Sequence, residues 1–332
     1  MILRPAMALL TPMSLSEATV LAGRFGVRIV HAEPLSAGSV NSNFRFRGDD
    51  GALYFARIYE EQGFEGARTE IDLLTALHGE GVPVVRPLLT RDGAGTTEFA
   101  GKPFVLFPWV EGEWLCLRRV TPERCRTLGA ALARVHLASP RVGSLPQGRF
   151  RPPDMLERLT KVEASGVREL DPFVARIREA YARYLEQRRE LPSGVCHGDL
   201  FRDNVLWSGE RLAALLDFES ASWGCFAYDL MVTALAWCYT DSLQLDRVRA
   251  LFEGYASVRI PSAAERESLE VEGALACLRF ATTRITDFEL RTPPGARPAR
   301  DFRRFLERLA ALESNILDSV REQLAGRTQG RT

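Results

Sequence analysis

The sequence predicts an α+β fold of two lobes. A small antiparallel-sheet lobe is expected over residues 1–112 and a larger, mainly helical lobe over 113–325, with a polar tail at 326–332. Three observations lead there. Short β-rich runs separated by Gly- and Asp-containing turns fill the first third of the chain. Beyond Glu113 the apolar residues recur mostly at helical spacing, and one hairpin pattern interrupts them. The chain has 332 residues and 46% hydrophobic content, enough to build two cores.

Ser14 to Phe25 has helical spacing, with Ser14 or Ser16 as N-cap. Strands are predicted at Val27 to Val30, Val40 to Phe46 and Leu53 to Tyr59; Gly48 to Gly51 is the turn joining the last two. Glu65 to Gly79 reads as an amphipathic helix with Ile71, Leu74 and Leu77 on one face. Val84-Val85 and Lys102 to Val110 complete the sheet, and Asp92 to Gly95 makes a further turn. In the second lobe Thr121-Pro122-Glu123 has the order of an N-cap, a first-turn proline and an acid, so a helix runs from there to about His136. Further helices are predicted at 171–189, 227–239, 243–255, 263–290 and 299–324, with a break from Arg291 to Gly295.

Lys plus Arg balance Asp plus Glu at 43 each, so no global field points to nucleic acid or an anionic membrane as partner. No apolar run approaches the ~20 residues that cross a bilayer. The first 20 residues read as part of the fold rather than as a signal peptide. The six cysteines are scattered without a Cys-x-x-Cys pair and are expected to be reduced core thiols of a cytoplasmic protein, Cys196 included. Oligomeric state is not legible.

The chemistry concentrates in Val195-Cys196-His197-Gly198-Asp199-Leu200-Phe201-Arg202-Asp203-Asn204 and in Leu216-Asp217-Phe218-Glu219. Phosphoryl transfer needs one carboxylate near the attacking hydroxyl. It also needs an amide oxygen and a second carboxylate to hold Mg²⁺ against nucleotide phosphates. Asp199, Asn204 and Asp217 supply these in order. Val205 to Trp207 and Leu212 to Leu216 read as two strands around a turn at Ser208 to Glu210, a hairpin that would bring Asn204 and Asp217 together. The alternative is that Asp199 and Asp203 cap turns and Asp217 ends a strand.

This segment resembles the aminoglycoside phosphotransferase-like kinases, a remote branch of the protein-kinase fold in which His-Gly-Asp stands for His-Arg-Asp. The resemblance implies a protein-kinase-like two-lobe fold that uses ATP and Mg²⁺, with Asp199 catalytic and Asn204 and Asp217 on the metal. It places a nucleotide-covering turn at Ser36 to Asn43, with Gly38, Ser39 and Asn41 near phosphate, although an ordinary hairpin turn reads the same way. Arg57 takes the position of the usual phosphate-contacting Lys, and Glu70 that of its partner; an edge-strand Arg facing solvent is the alternative. Backbone groups of Phe107 and Trp109 would read the adenine edge. His197 and Asp229 would support the catalytic loop, or Asp229 is simply an acid at a helix start. His136 is taken as structural.

Over most of the chain the similarity is to the bacterial homoserine kinases of this superfamily. It rests on Asn41 to Phe44, Ile58-Tyr59-Glu60, the catalytic loop, Ala227 to Leu230, Ala236 to Tyr239, Leu278-Arg279-Phe280 and Thr283 to Asp287. Gly198 replaces the Ala usual in those enzymes, and Phe218 to Ser222 is less aromatic. A small-molecule alcohol is therefore the expected partner, homoserine first. Arg284 would hold its carboxylate, with Asp287, Trp237 and Glu219 also lining the site. A surface ion pair of Arg284 and Asp287 on one helix face is the alternative. Glu219, Tyr228 and Asp287 could instead surround the amine of choline, ethanolamine or an aminoglycoside. A nucleotide-binding module without activity is the third reading.

Overall fold

The computed structural model describes residues 11–35, 41–143, 145–292, 298, 300–314 and 317–318. Gly38 and Ser39 lie outside these residues, as do the tail at 326–332 and the end of the last expected helix. The chain divides into two compact units, Met1–Glu113 with Leu206–Glu219, and Trp114–Val205 with Ser220–Thr332. The hairpin expected in the larger lobe thus belongs largely to the first unit. The backbones of Glu113 and Trp207 exchange two hydrogen bonds of 2.9 and 3.0 Å, which ties it there.

The first unit begins with α1 (Leu15–Arg24), closed by a capping box in which the Ser14 hydroxyl accepts from the Glu17 N–H and the Glu17 carboxylate accepts from the Ser14 N–H. Strands β1 (Ile29–Leu35), β2 (Ser42–Gly48), β3 (Leu53–Ile58), β4 (Thr97–Phe99) and β5 (Lys102–Pro108) form an antiparallel sheet of order β1-β2-β3-β5-β4. The first strand lies later than expected because it pairs with all of β2, from Ile29 opposite Gly48 to Leu35 opposite Asn43. Its Pro34 is tolerated because β1 is an edge strand. The sequence reading assigns no strand to β4. Three residues carry no period, and the Ala100-Gly101 turn that makes the hairpin has positive φ at both residues without an Asn or Asp to announce it. Val84 forms only a single bridge, to Leu215.

Alternation buries Phe44 and Phe46 of β2, Ala56 and Ile58 of β3, and Phe104 and Leu106 of β5 with Leu21 and Phe25 of the α1 region. Burying each large apolar side chain stabilises by about 1.5–3 kcal/mol. Helix α2 (Phe64–Gly79) buries Ile71, Leu73, Leu74 and Leu77, and with them Glu70.

The second unit is built on α3 (Pro122–Leu137), which starts at the Thr121 cap, and on α4 (Ser139–Val142), α5 (Pro152–Ala164) and α6 (Asp171–Gln187). The sequence reading assigns no helix to α5, although Pro152 and Pro153 occupy a first turn, where proline is at home. Strand β6 (Ser193–Cys196) precedes β7 (Val205–Ser208) and β8 (Arg211–Leu215), the two hairpin strands. β6 pairs with β9 (Ser222–Cys225), a strand too short to signal itself. The chain continues through α7 (Phe226–Trp237), α8 (Leu245–Val258), α9 (Ala263–Glu267), α10 (Leu269–Asp287) and α11 (Arg303–Leu312). The single helix expected over 263–290 is broken at Ser268.

Two glycines bring α3 and α8 into backbone contact. A Cβ on Gly129 would lie 2.0 Å from the Leu251 carbonyl oxygen, and one on Gly254 would lie 1.9 Å from that of Arg126. Helix α7 is buried on nearly every side, as its continuous apolar sequence requires. Among the described residues no helix is long and apolar enough to cross a membrane.

Candidate active site

In the second unit the loop from His197 to Asn204 leaves β6 at Cys196 and is braced by Asp229. This fully buried carboxylate, in the first turn of α7, accepts from the His197 N–H at 2.7 Å and from the Gly198 N–H at 2.8 Å. His136 of α3 meets Oδ2, the oxygen that accepts from the His197 N–H, at 3.1 Å. Its other ring nitrogen meets the Tyr255 hydroxyl at 2.6 Å, and Arg259 donates to that hydroxyl at 3.0 Å. Burial alone would raise the pKa of Asp229. The hydrogen bond and charge of His136, with His197 and the Gly198 N–H, outweigh it and hold the group below the ordinary carboxylate range. Burial lowers the pKa of His136, against the opposing hydrogen bond and charge of Asp229. Gly198 has φ +75°, a conformation natural to glycine.

Further contacts fix the rest of the loop. The Leu200 carbonyl accepts from the Trp237 indole at 3.0 Å, and Arg202 donates to the Leu115 carbonyl at 3.2 Å. The Phe201 ring meets Phe280 edge-on at 4.9 Å. Asn204 donates its amide N–H to the Asp199 carbonyl at 2.8 Å, which leaves its amide oxygen as the group for a cation. Trp237 was expected to wall the acceptor site. It is 0% exposed and lies behind the loop, where its N–H is already used.

One charged contact to the loop was not anticipated. Arg279 of α10 reaches the carboxylate of Asp199 at 3.3 Å. The signal for it was a charge inside the otherwise uncharged stretch 273–283 of the helix, at Leu278-Arg279-Phe280.

In the first unit, β3 alternation puts Phe55, Arg57 and Tyr59 on one side, and Arg57 lies near both aromatic rings. Its guanidinium is 3.7 Å from Glu70 and 3.2 Å from Glu219. Burial alone would lower the pKa of Arg57; Tyr59, Asp217, Glu70 and Glu219 more than reverse this. Glu70 is pushed up to about 7, chiefly by burial, with Arg57 pulling it down and Glu219 and Asp217 pushing it further up. Asp217 itself has φ +62°, a strained conformation for a residue with a side chain and one that collects at functional positions.

Glu219 is therefore not free for an amine substrate, since its carboxylate holds Arg57 and the amide of Asn41. The Asn41 side chain also accepts from the Glu60 N–H at 3.2 Å. Phe107 faces Phe55 across the ladder, and the Trp109 N–H is given to the Leu53 carbonyl at 3.0 Å, so that N–H is not available to a base edge.

On α10, Arg284 donates to the Asp301 carbonyl at 2.9 Å and lies over the Phe305 ring. Its pKa is pushed down to about 9 by burial and by Arg300, Arg308 and Arg304, against the opposing pull of Asp199. Asp287 does not share a ligand face with it, because Arg158 takes that carboxylate at 2.8 Å. The six cysteines form no disulfide, and burial pushes the Cys196 thiol well up, so it is no nucleophile.

Along the chain, residues 199 to 217 carry a carboxylate, an amide oxygen and a second carboxylate, Asp199, Asn204 and Asp217. Residues 31–260 match the phosphotransferase enzyme family, and the chain belongs to that family. It is 34% identical to the homoserine kinase of Brucella anthropi, over 79% of this chain and 80% of that protein. It is 31% identical to the homoserine kinase of Methylocella silvestris, over 87% and 91%. Its fold matches amicoumacin kinase hAmiN, solved in complex with AMP-PNP, Ca²⁺ and Ami, with a TM-score of 0.67 at 15% identity over 91% and 93% of the chains. The protein is thus a phosphotransferase acting on a hydroxyl group, with an α+β kinase-like fold.

Proposed function

We propose that this protein is a homoserine kinase, which transfers the γ-phosphoryl group of ATP to the side-chain hydroxyl of homoserine with Mg²⁺. The observation that carries the acceptor assignment is Arg284. This half-buried guanidinium of α10 sits among Arg300, Arg304 and Arg308 and within the field of Asp199, so a carboxylate bound there relieves like-charge repulsion near the base. The acidic groups that would suit a cationic acceptor are engaged elsewhere, Glu219 by Arg57 and Asp287 by Arg158. The homoserine kinases among its relatives support the same reading.

The donor set suits a nucleotide with a hard cation. Asp217 and the Asn204 amide offer oxygen ligands. Three carboxylates around Arg57, with Glu70 driven up to about 7, make a site richer in negative charge than one guanidinium neutralises. The Arg57 Nε is buried without a hydrogen-bond partner among the described residues. Bound Mg·ATP supplies the phosphoryl group and the charge that neutralises its transfer. Asp199 orients the acceptor hydroxyl and takes its proton. Asn204 and Asp217 hold the metal. Arg57, set by Glu70 and Glu219, contacts the phosphates.

Two substitutions separate these tasks. A charge-assisted pair is worth ~1.5–3 kcal/mol, which is about ten- to a hundredfold in affinity. Arg57→Ala is therefore expected to raise the KM for ATP by about that factor and to lower kcat, with homoserine's KM within about twofold. A KM for ATP that stays put in steady-state assays contradicts the phosphate role. Arg284→Ala is expected to weaken homoserine by about ten- to a hundredfold and to leave ATP alone. It should also narrow the preference for homoserine over 3-aminopropan-1-ol, its analogue without the carboxylate. An unchanged preference sinks the carboxylate assignment.

A further inference from the structure

We propose that Arg279 is a positioning residue, which fixes the Asp199 side chain so that one carboxylate oxygen faces the acceptor hydroxyl. The inference rests on the phosphotransfer role of Asp199 given above.

Arg279 is an arginine in an apolar place. It is 5% exposed, on a helix whose neighbouring residues are buried almost throughout. Its guanidinium lies between two aromatic rings, 4.1 Å from the centre of Phe150 and 3.8 Å from that of Phe280. Such flanking restrains a planar cation. The Phe280 ring also packs on Phe201, two residues beyond Asp199, and stacks on Phe305 at 4.9 Å. The guanidinium and the loop it touches are thus fixed to one aromatic scaffold.

The contact to Asp199 runs from Nη1 to Oδ1 at 3.3 Å. This is longer than the ~2.7–2.9 Å of a tight charge-assisted hydrogen bond. It restrains the carboxylate without occupying it fully, and the geometry directs the cation to Oδ1 and leaves Oδ2 for the acceptor. Asp199 needs such help. Its backbone carbonyl is held by Asn204 and the N–H groups of the two preceding residues by Asp229, but those contacts do not set the side-chain torsions. A catalytic group misplaced by about 1 Å costs on the order of a hundredfold in rate.

The test compares Arg279→Met, Arg279→Lys, Asp199→Asn and the double variant Asp199→Asn/Arg279→Met. Each is assayed with ATP, Mg²⁺ and whichever acceptor the wild-type protein phosphorylates, and its thermal unfolding is recorded. Methionine keeps an unbranched chain between the two rings and guards against collapse of the helix. Arg279→Met is expected to lower kcat about ten- to a hundredfold, with both KM values within about threefold, and Arg279→Lys to recover part of the loss. In the Asp199→Asn background the same change is expected to cost less than about twofold, because its effect runs through the carboxylate. A kcat within twofold of wild type for Arg279→Met overturns the proposal. So does a loss carried by the acceptor's KM, or losses that multiply in the double variant. If Asp199→Asn turns over at full rate, the base assignment falls and this proposal with it. If Asp199→Asn is crippled and Arg279→Met is not, the positioning role alone falls.

Discussion

Asp199→Asn is expected to lower kcat by about 10²–10⁴-fold, the usual worth of a positioned general base, while Mg·ATP still binds. The substitution is close to isosteric, and the loop does not depend on the side chain it alters. Asn204 bonds the Asp199 backbone carbonyl rather than the carboxylate. Asp229 holds the N–H groups of His197 and Gly198, and Trp237 holds the Leu200 carbonyl. What disappears is the negative charge beside Arg279 and the capacity to take a proton. Steady-state turnover and calorimetric titration with Mg·ATP separate the two effects. Undiminished turnover would remove Asp199 from the mechanism.

Asp229→Ala is expected to destabilise the protein by about 3–5 kcal/mol, the cost of removing one member of a buried charged network. The side chain is 0% exposed and accepts from two loop N–H groups and from His136. Alanine leaves all three donors without their acceptor, and each unsatisfied buried group costs about 1–3 kcal/mol. The partial cancellation of these costs by loop relaxation brings the sum into the quoted range. Activity should fall as well, because the same two N–H groups set the path of the chain into Asp199. Denaturant unfolding gives the free energy directly. A loss below about 1 kcal/mol would mean that the brace contributes little and that the loop is held from above, by Trp237, Arg202 and Phe201.

What was legible in the sequence was local. The hairpin announced itself through Ser208 to Glu210, and the spacing of Asp199 and Asn204 lies within one loop. The cap of α3 was written in three successive residues, Thr121, Pro122 and Glu123. What was not legible depended on contacts between distant segments. Arg279 and Asp199 are 80 positions apart, and Arg57 and Glu219 are 162. No period or spacing reports such pairs. The signal for Arg279 was a charge where the helix pattern called for an apolar residue, and it marked a place where local preference yields to the site. Trp237 misled for the opposite reason: an aromatic residue near a motif reads as a pocket wall, yet its indole N–H had a backbone carbonyl to satisfy and lay buried behind the loop. Strands β4 and β9 were missed because three or four residues are too few to show alternation.

The most direct measurement of the central claim is phosphotransfer by the wild-type protein across a panel of acceptors. Homoserine, 3-aminopropan-1-ol, choline, ethanolamine, a hexosamine and an aminoglycoside are each incubated with ATP and Mg²⁺. Release of ADP gives the rate, and phosphorus NMR identifies the product. Homoserine is expected to give O-phosphohomoserine with the highest kcat/KM of the panel, about ten- to a hundredfold above 3-aminopropan-1-ol, which lacks only the carboxylate that Arg284 would hold. Efficient turnover of choline or the aminoglycoside with none of homoserine would contradict the acceptor assignment.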